Sequence, residues 1–315
     1  MNTTVIGSLV MDLSLRVPQL VQPGGVVHGH DLQVACGGRG ANQACAASRL
    51  SGQLPLSSQG REPGGGVALI GVVGQDLFGD AMLASLQAEG VDTHAVSRRA
   101  DGASGCFIVA TDPQGQTELL VANGANGSLT ADEVQRHAEL IRSSRAVLAQ
   151  LEVAYEAVEV GLSIARHAGV LTILNAAPTY RYQPQLLPLC DVLTLNAREA
   201  SEITGIEALD TASAANAAAR LRGLGAGAVM VTLGADGLWV DAPGCQTHLP
   251  SFQVPVVDTL GAGDTFAGAL AAILCEGADM LTAARFAVAA AALSVTRLGA
   301  QPSIPWRAEV ETFLQ

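Results

Sequence analysis

The chain has 315 residues, of which 49% are hydrophobic and only 15% charged, so it is long enough and apolar enough for one large α/β domain with or without a small appendage. Its 29 acidic against 17 basic residues give a net charge of −12, which disfavours nucleic-acid and anionic-membrane partners. All 17 basic residues are arginine, so a lysine Schiff base and a Walker-type P-loop are excluded, and phosphate could be handled only by backbone, arginine and a metal.

The six cysteines, Cys36, Cys45, Cys106, Cys190, Cys245 and Cys275, form no C-x-x-C pair and read as small buried residues of a reducing compartment. The N-terminal "MNTTVIGSLVMDLSL" lacks a basic leader and reads as a strand. No run reaches the roughly 18 apolar residues of a membrane span, and the cytoplasm is the expected location.

In chain order, "TTVIGSLV" predicts a strand, residues 11–36 a mixed segment, and "GANQACAASRL" a helix. The Gly/Pro/Ser-rich stretch 51–66 reads as an exposed, mobile insertion. "GVALIGVVG" follows as a buried strand, "FGDAMLASLQAEG" as a helix, and "GCFIVATD" with "TELLVANGA" as a hairpin about "PQGQ". "SLTADEVQRHAELIRS" opens with Ser/Thr and acids, as a capped helix should. From there strands and helices alternate: "AVLAQLE", "AYEAVEVGLSIARHAG", "VLTILNAAP", "CDVLTLN", "AREASEITG", "SAANAAARLRGLG" and "AVMVTLG". A hairpin, "GLWVDAPGCQTHLP", and helices over 264–277 and 280–296 close the chain. This rhythm predicts a three-layer α/β/α domain spanning 1–315 with a mostly parallel sheet, and a small β-sheet lid from about 11–36 and 100–123 over the strand ends.

Two glycine-rich sites stand out. "GGRGANQA" (37–44) is either a tight turn before a helix or a place where backbone approaches a ligand, with Arg39 and Asn42 as donors. "DTLGAGDTFAGAL" (258–270) has the form of a glycine turn opening a helix, an anion-binding arrangement, yet it carries Asp258 and Asp264. Neither contains the third glycine of a dinucleotide fingerprint.

Taken together, the two sites resemble the paired signatures of the ribokinase-like carbohydrate kinases. "GVVGQDLFGD", "LQAEGVDT", "VANGAN", "QLE", "LNAAP", "LNAREASEITG", "VTLGADGLWV" and "RLGAQPSIPWR" fall in that family's order, with only 51–66 foreign to it. The resemblance implies ATP-dependent phosphoryl transfer to the 5-hydroxyl of a pentose. Asp264 matches the catalytic base, and the amides of Gly261, Ala262 and Gly263 the anion hole. Asp12, Gly38, Arg39, Gly40, Ala41, Asn42 and Glu152 match sugar-binding positions. Asn196, Thr232, Leu233, Gly234, Ala235, Asp236 and Gly237, with Gly263 and Asp264, match nucleotide positions, and Glu199 matches the Mg²⁺ shell, through water. A monovalent cation, usually K⁺, is implied at Asp258, the carbonyls of Leu260, Ser294, Arg297 and Gly299, and Ser303. A homodimer joined through the lid is also implied.

Two positions depart from the family pattern. Arg39 stands where a lysine is usual, exchanging a point charge for a planar fork. Val10 stands where an asparagine usually precedes the aspartate by two residues, and relatives that prefer 2-deoxyribose also carry an apolar residue there. D-ribose and 2-deoxy-D-ribose are therefore both expected candidates, ribose first on overall similarity, with another carbohydrate or a nucleoside as a further alternative.

Overall fold

Strands that read as unbroken apolar runs need cover on both faces. The computed structural model, which describes residues 2–52 and 66–315, supplies that cover. The first half of the chain holds β1 (Thr3–Ile6), β2 (Val10–Arg16), β3 (His30–Gly37), α1 (Arg39–Leu50), β4 (Val67–Gly74) and α2 (Leu77–Ala88). It continues through β5 (Val91–Asp92), β6 (Val96–Arg99), β7 (Gly105–Thr111), β8 (Thr117–Ala122), α3 (Ala131–Arg136) and α4 (Ala138–Arg142). Next come β9 (Ala146–Gln150), α5 (Tyr155–His167), β10 (Leu171–Asn175), β11 (Val192–Asn196), α6 (Ala197–Thr204) and α7 (Thr211–Gly223). The chain closes with β12 (Ala228–Thr232), β13 (Leu238–Ala242), β14 (Cys245–Leu249), α8 (Ala262–Cys275), α9 (Met280–Ser294) and α10 (Arg307–Phe313).

The central sheet runs β14-β13-β12-β11-β10-β9-β1-β4-β5, with β6 also paired to β4. Its pairs are parallel except β12–β13 and β13–β14. Alternation along each strand divides the core in two. Val5, Leu69 and Leu148 face α1, α2, α8, α9 and α10, while Ile6, Ile70 and Val147 face the layer of α3 to α7. Among the described residues no helix is long and apolar enough to cross a membrane.

A separate sheet, β3-β2-β7-β8, stands off this body. The run "TTVIGSLV", expected as one strand, is divided between the two sheets: β1 ends at Ile6 and β2 begins at Val10. At the break only glycine fits, since a Cβ on Gly7 would stand 1.8 Å from Gln150 Oε1 and 2.8 Å from Gly40 Cα. The break is also held by polar contacts. Buried Asn126 donates to the Leu9 carbonyl at 2.7 Å and accepts from the Leu9 amide at 2.9 Å, replacing the ladder bonds lost where the chain leaves the sheet. The helix expected over 128–143 is likewise split, at His137, into α3 and α4. The short β5 and β6, and α10, went unpredicted, and the 51–66 insertion lies almost wholly outside the described residues.

Small residues let α1 and α8 approach closely. A Cβ on Gly268 would lie 2.5 Å from Ala46 Cβ and 2.6 Å from the Gln43 carbonyl oxygen. Gly268→Ala is therefore expected to destabilise the fold by about 1–3 kcal/mol through overpacking, despite alanine's better helix propensity. Urea unfolding, with the midpoint lowered at unchanged slope, checks this.

Candidate active site

The approach of α1 to α8 sets the two glycine-rich motifs side by side. Asp264, in the first turn of α8, is only 6% exposed. Its Oδ2 accepts from Asn42 Nδ2 at 3.0 Å and its Oδ1 from Gln43 Nε2 at 2.9 Å, both from α1. Gly38 is the N-cap of α1, and the first turn is tied to the β1–β2 junction by the Ala41 amide, 2.9 Å from the Ser8 carbonyl, and by the Gly40 amide, 3.5 Å from Ser8 Oγ. Ser8 Oγ also donates to Glu152, as does the Arg39 amide at 3.2 Å.

Carboxylates from four separate segments converge here. Arg39 lies among them, with Nε 3.4 Å from Glu152, Nη1 3.9 Å from Asp264 and Nη2 4.0 Å from Glu199. Burial works against the guanidinium's charge, but Asp264, Glu152 and Glu199 outweigh it and raise its pKa. Asp12 is the third residue of β2. Burial, then the charges of Glu152 and Asp264, push its carboxyl up to about 6. Burial also raises Glu199, against the Asn196 amide and Arg39, which lower it. The Asn42 Oδ1 atom is buried with no hydrogen-bond partner among the described residues, an acceptor left open beside this cluster.

At the residues just before Asp264 a cavity of about 330 Å³ opens. The expected Thr232, Gly234, Ala235, Gly237 and Gly263 line it, together with Ala262. Leu233 and Asp236 shape the turn behind it, the Leu233 amide donating to Gly237 at 2.7 Å and that of Asp236 to Leu233 at 3.1 Å. Sequence reasoning missed its apolar wall of Phe252, Val254, Val256, Phe266, Val288 and Val295. The alternating apolar positions of "SFQVPVV" are the one signal that could have found part of it, but that segment forms no strand.

Gly261 is the N-cap of α8 and supplies no side-chain cap. Among the described residues the amides of Gly261 and Gly263 have no acceptor, while that of Ala262 donates to the Thr259 carbonyl at 3.3 Å. Free N–H groups aligned with a helix dipole attract an anion. Asn196 and Glu199 form a reciprocal capping box at the start of α6, each side chain bonded to the other's backbone amide at 2.8 Å. Asp258 ties two loops together, accepting from the Leu260 and Gly299 amides at 2.9 Å each. The Ser294 carbonyl accepts from the Arg297 amide at 3.1 Å, and Ser303 Oγ donates to the Ala300 carbonyl at 2.8 Å.

Comparison with known proteins follows the same lines. The family model described as pfkB family carbohydrate kinase matches residues 2–307. The chain is similar to a ribokinase of Haemophilus influenzae, at 37% identity over 99% of this chain and 98% of the other. It is 32% identical to a deoxyribokinase of Salmonella typhi, over 97% of this chain and 96% of that one. The solved structure of an Arabidopsis thaliana ribokinase complexed with ribose and ATP superposes with a TM-score of 0.89 at 28% identity, over 100% of this chain and 98% of that one. A carboxylate cluster, an uncapped glycine-led helix and an adjoining cavity thus occur in a chain that matches one family from end to end, and the chain belongs to the pfkB family of carbohydrate kinases.

Proposed function

We propose that the chain transfers the γ-phosphoryl group of ATP to the 5-hydroxyl of D-ribose, giving ribose 5-phosphate. One observation carries this reading: buried Asp264 is bonded to Asn42 and close to Arg39 in the polar cluster, and it directly follows Ala262 and Gly263, which line the cavity. A ribokinase of Haemophilus influenzae and an Arabidopsis ribokinase complexed with ribose and ATP are the relatives that support it.

In this reading Asp12, Glu152, Arg39 and Asn42, with the backbone of Gly38, Gly40 and Ala41, bind the sugar hydroxyls. The open Asn42 Oδ1 accepts from one of them. Asp264 takes the proton of the 5-hydroxyl as it attacks the phosphorus, and the amides of Gly261, Ala262 and Gly263 receive the charge of the transferring group. The acid and the amides do not conflict, because the carboxylate faces the nucleophile and the N–H groups face the phosphate. ATP lies along Thr232 to Gly237 with its base against the apolar wall, and Asn196 and Glu199 stand near its phosphates. Mg²⁺ bound through water near Glu199 would neutralise phosphate charge. All the candidate ligands for K⁺ offer oxygen, a donor set that fits such an ion: Asp258 and the Leu260 carbonyl on one loop, the carbonyls of Arg297 and Gly299 and Ser303 on the segment Asp258 joins to it, and the Ser294 carbonyl at the end of α9.

A second sugar, 2-deoxy-D-ribose, is favoured by Val10. This residue is 2% exposed and shares a face of β2 with Asp12, where it can offer no hydrogen bond to a 2-hydroxyl. The small sheet further supports a homodimer. Val34, Leu13, Ile108 and Leu120 form one register row across it, and Val34, Ile108 and Leu120 are exposed. Sedimentation velocity tests that, a monomer at micromolar concentration removing the proposal. The six free cysteines favour a reducing compartment such as the cytoplasm.

Asp264→Asn is expected to lower kcat by about 10²-fold or more while leaving ATP binding within about threefold. ADP-release kinetics and calorimetric ATP titration check the two halves, and full turnover sinks the base assignment. Across a sugar panel, kcat/KM should be highest for ribose or 2-deoxyribose, and Val10→Asn should shift the ratio toward ribose by about tenfold. A nucleoside preferred over every free pentose would overturn the sugar assignment. Sugar kcat/KM should fall as pH drops below about 6, where Asp12 gains a proton. Because folding raises this carboxyl's pKa, the stability present when it is protonated is lost as pH rises through about 6. Asp12→Asn should therefore weaken sugar binding yet raise Tm at pH 8, with little change in Tm near pH 4.

A further inference from the structure

Behind Asp264 runs a set of buried amides that the reaction scheme leaves unused. Gln43 is 0% exposed and does not line the cavity. Its Nε2 donates to Asp264 Oδ1 at 2.9 Å and to Asn175 Oδ1 at 3.2 Å. Its Oε1 accepts from Gln150 Nε2 at 2.7 Å, and Gln150 is also 0% exposed. Asn175 Nδ2 in turn donates to the Thr194 carbonyl at 3.2 Å.

The polarity of this chain is dictated from Asp264 outward. An ionised carboxylate only accepts, so Gln43 must present its NH₂ group to Asp264 and turn its oxygen away. That oxygen needs a donor, so Gln150 must present its NH₂ group in turn. Gln150 Oε1 is then driven toward Gly7, where it has no partner among the described residues. Room for it exists only because residue 7 has no side chain. Leaving a buried acceptor unpaired is unfavourable, and the arrangement does so in order to keep a donor on the base.

We propose that Gln43, oriented by Gln150, is the positioning residue for Asp264. With Asn42 on Oδ2 and Gln43 on Oδ1, the plane of the carboxylate is fixed, and one set of lone pairs is left for the attacking hydroxyl. Gln43, wholly buried and absent from the cavity lining, has no part in holding either substrate in this reading. The proposal rests on Asp264 being the base, and the test separates the two.

The experiment measures kcat and both KM values against pH for Gln43→Met, Gln43→Glu and Asp264→Asn, with Tm recorded for each. Gln43→Met is expected to lower kcat about 10- to 100-fold with both KM values within about threefold, since misplacing a reacting group by about 1 Å costs that much. The acid limb of its kcat profile should move to higher pH, because a hydrogen bond favouring the charged carboxylate is gone. Gln43→Glu should recover activity on the acid side, where its neutral carboxyl donates in the amide's place. It should lose that activity as pH rises, because two adjoining carboxylates resist ionising together. Gln43→Met with unchanged kcat and profile overturns the proposal, as does Gln43→Glu without recovery on the acid side. The second arm stands alone if the methionine variant fails to fold. Inactive Asp264→Asn beside silent Gln43 variants discards the positioning role only, whereas active Asp264→Asn discards the base and the positioning role with it.

Discussion

The close packing of α1 on α8 is the constraint from which the rest of the site follows. Alanine and glycine at the crossing let two helices from opposite ends of the chain meet almost backbone to backbone, at Ala46 and Gly268. A larger residue there would separate Asn42 and Gln43 from Asp264, whose carboxylate depends on both for its orientation. The central sheet serves this contact indirectly. It carries α1 on the edge of the β1–β2 junction, and it brings Gln150, Asn175 and Asn196 to neighbouring strand ends, where α/β proteins bind ligands.

Electrostatics at the site are organised around one cation. In a chain of net charge −12, four acidic groups approach Arg39 or one another, and the guanidinium is within 4.0 Å of three of them. Its planar fork suits this position better than a point charge, because separate nitrogens can face separate carboxylates. Asp12, outside the reach of that fork, keeps the raised pKa of a buried acid among acids. The sugar's hydroxyls, in the proposed reading, are what this crowded polar pocket awaits.

The layered fold was legible because its strands are short apolar runs and its helices carry caps and periodic faces. Both glycine motifs were visible as motifs, and the resemblance named residues that the structure gathers about Asp264. What escaped detection depended on tertiary partners. The division of "TTVIGSLV" turns on Gly7 meeting Gln150 and on Asn126 holding Leu9, contacts between segments far apart in sequence. The apolar wall of the cavity draws on Phe252, Val254 and Val256, in a segment without regular structure and hence without a period to read. Asn196 and Glu199 illustrate a spacing with two meanings, since N-x-x-E is also how a helix begins, and here it is a capping box. Gln43 sat inside a quoted motif and drew no notice, because nothing local shows that its side chain turns inward.

The unpaired oxygen of Gln150 has a consequence for how such a sequence can drift. Positions 7 and 150 share one small volume, filled by the end of a glutamine on one side and left vacant by a glycine on the other. Neither can change freely while its partner stays. A lineage that acquires alanine at position 7 must shorten residue 150 and also shift the Gly40 backbone, 2.8 Å from the added carbon, and in shortening 150 it releases Gln43 from its donor. The two sites are thus expected to vary as a pair across relatives, and their joint history records how firmly each descendant holds the carboxylate at position 264.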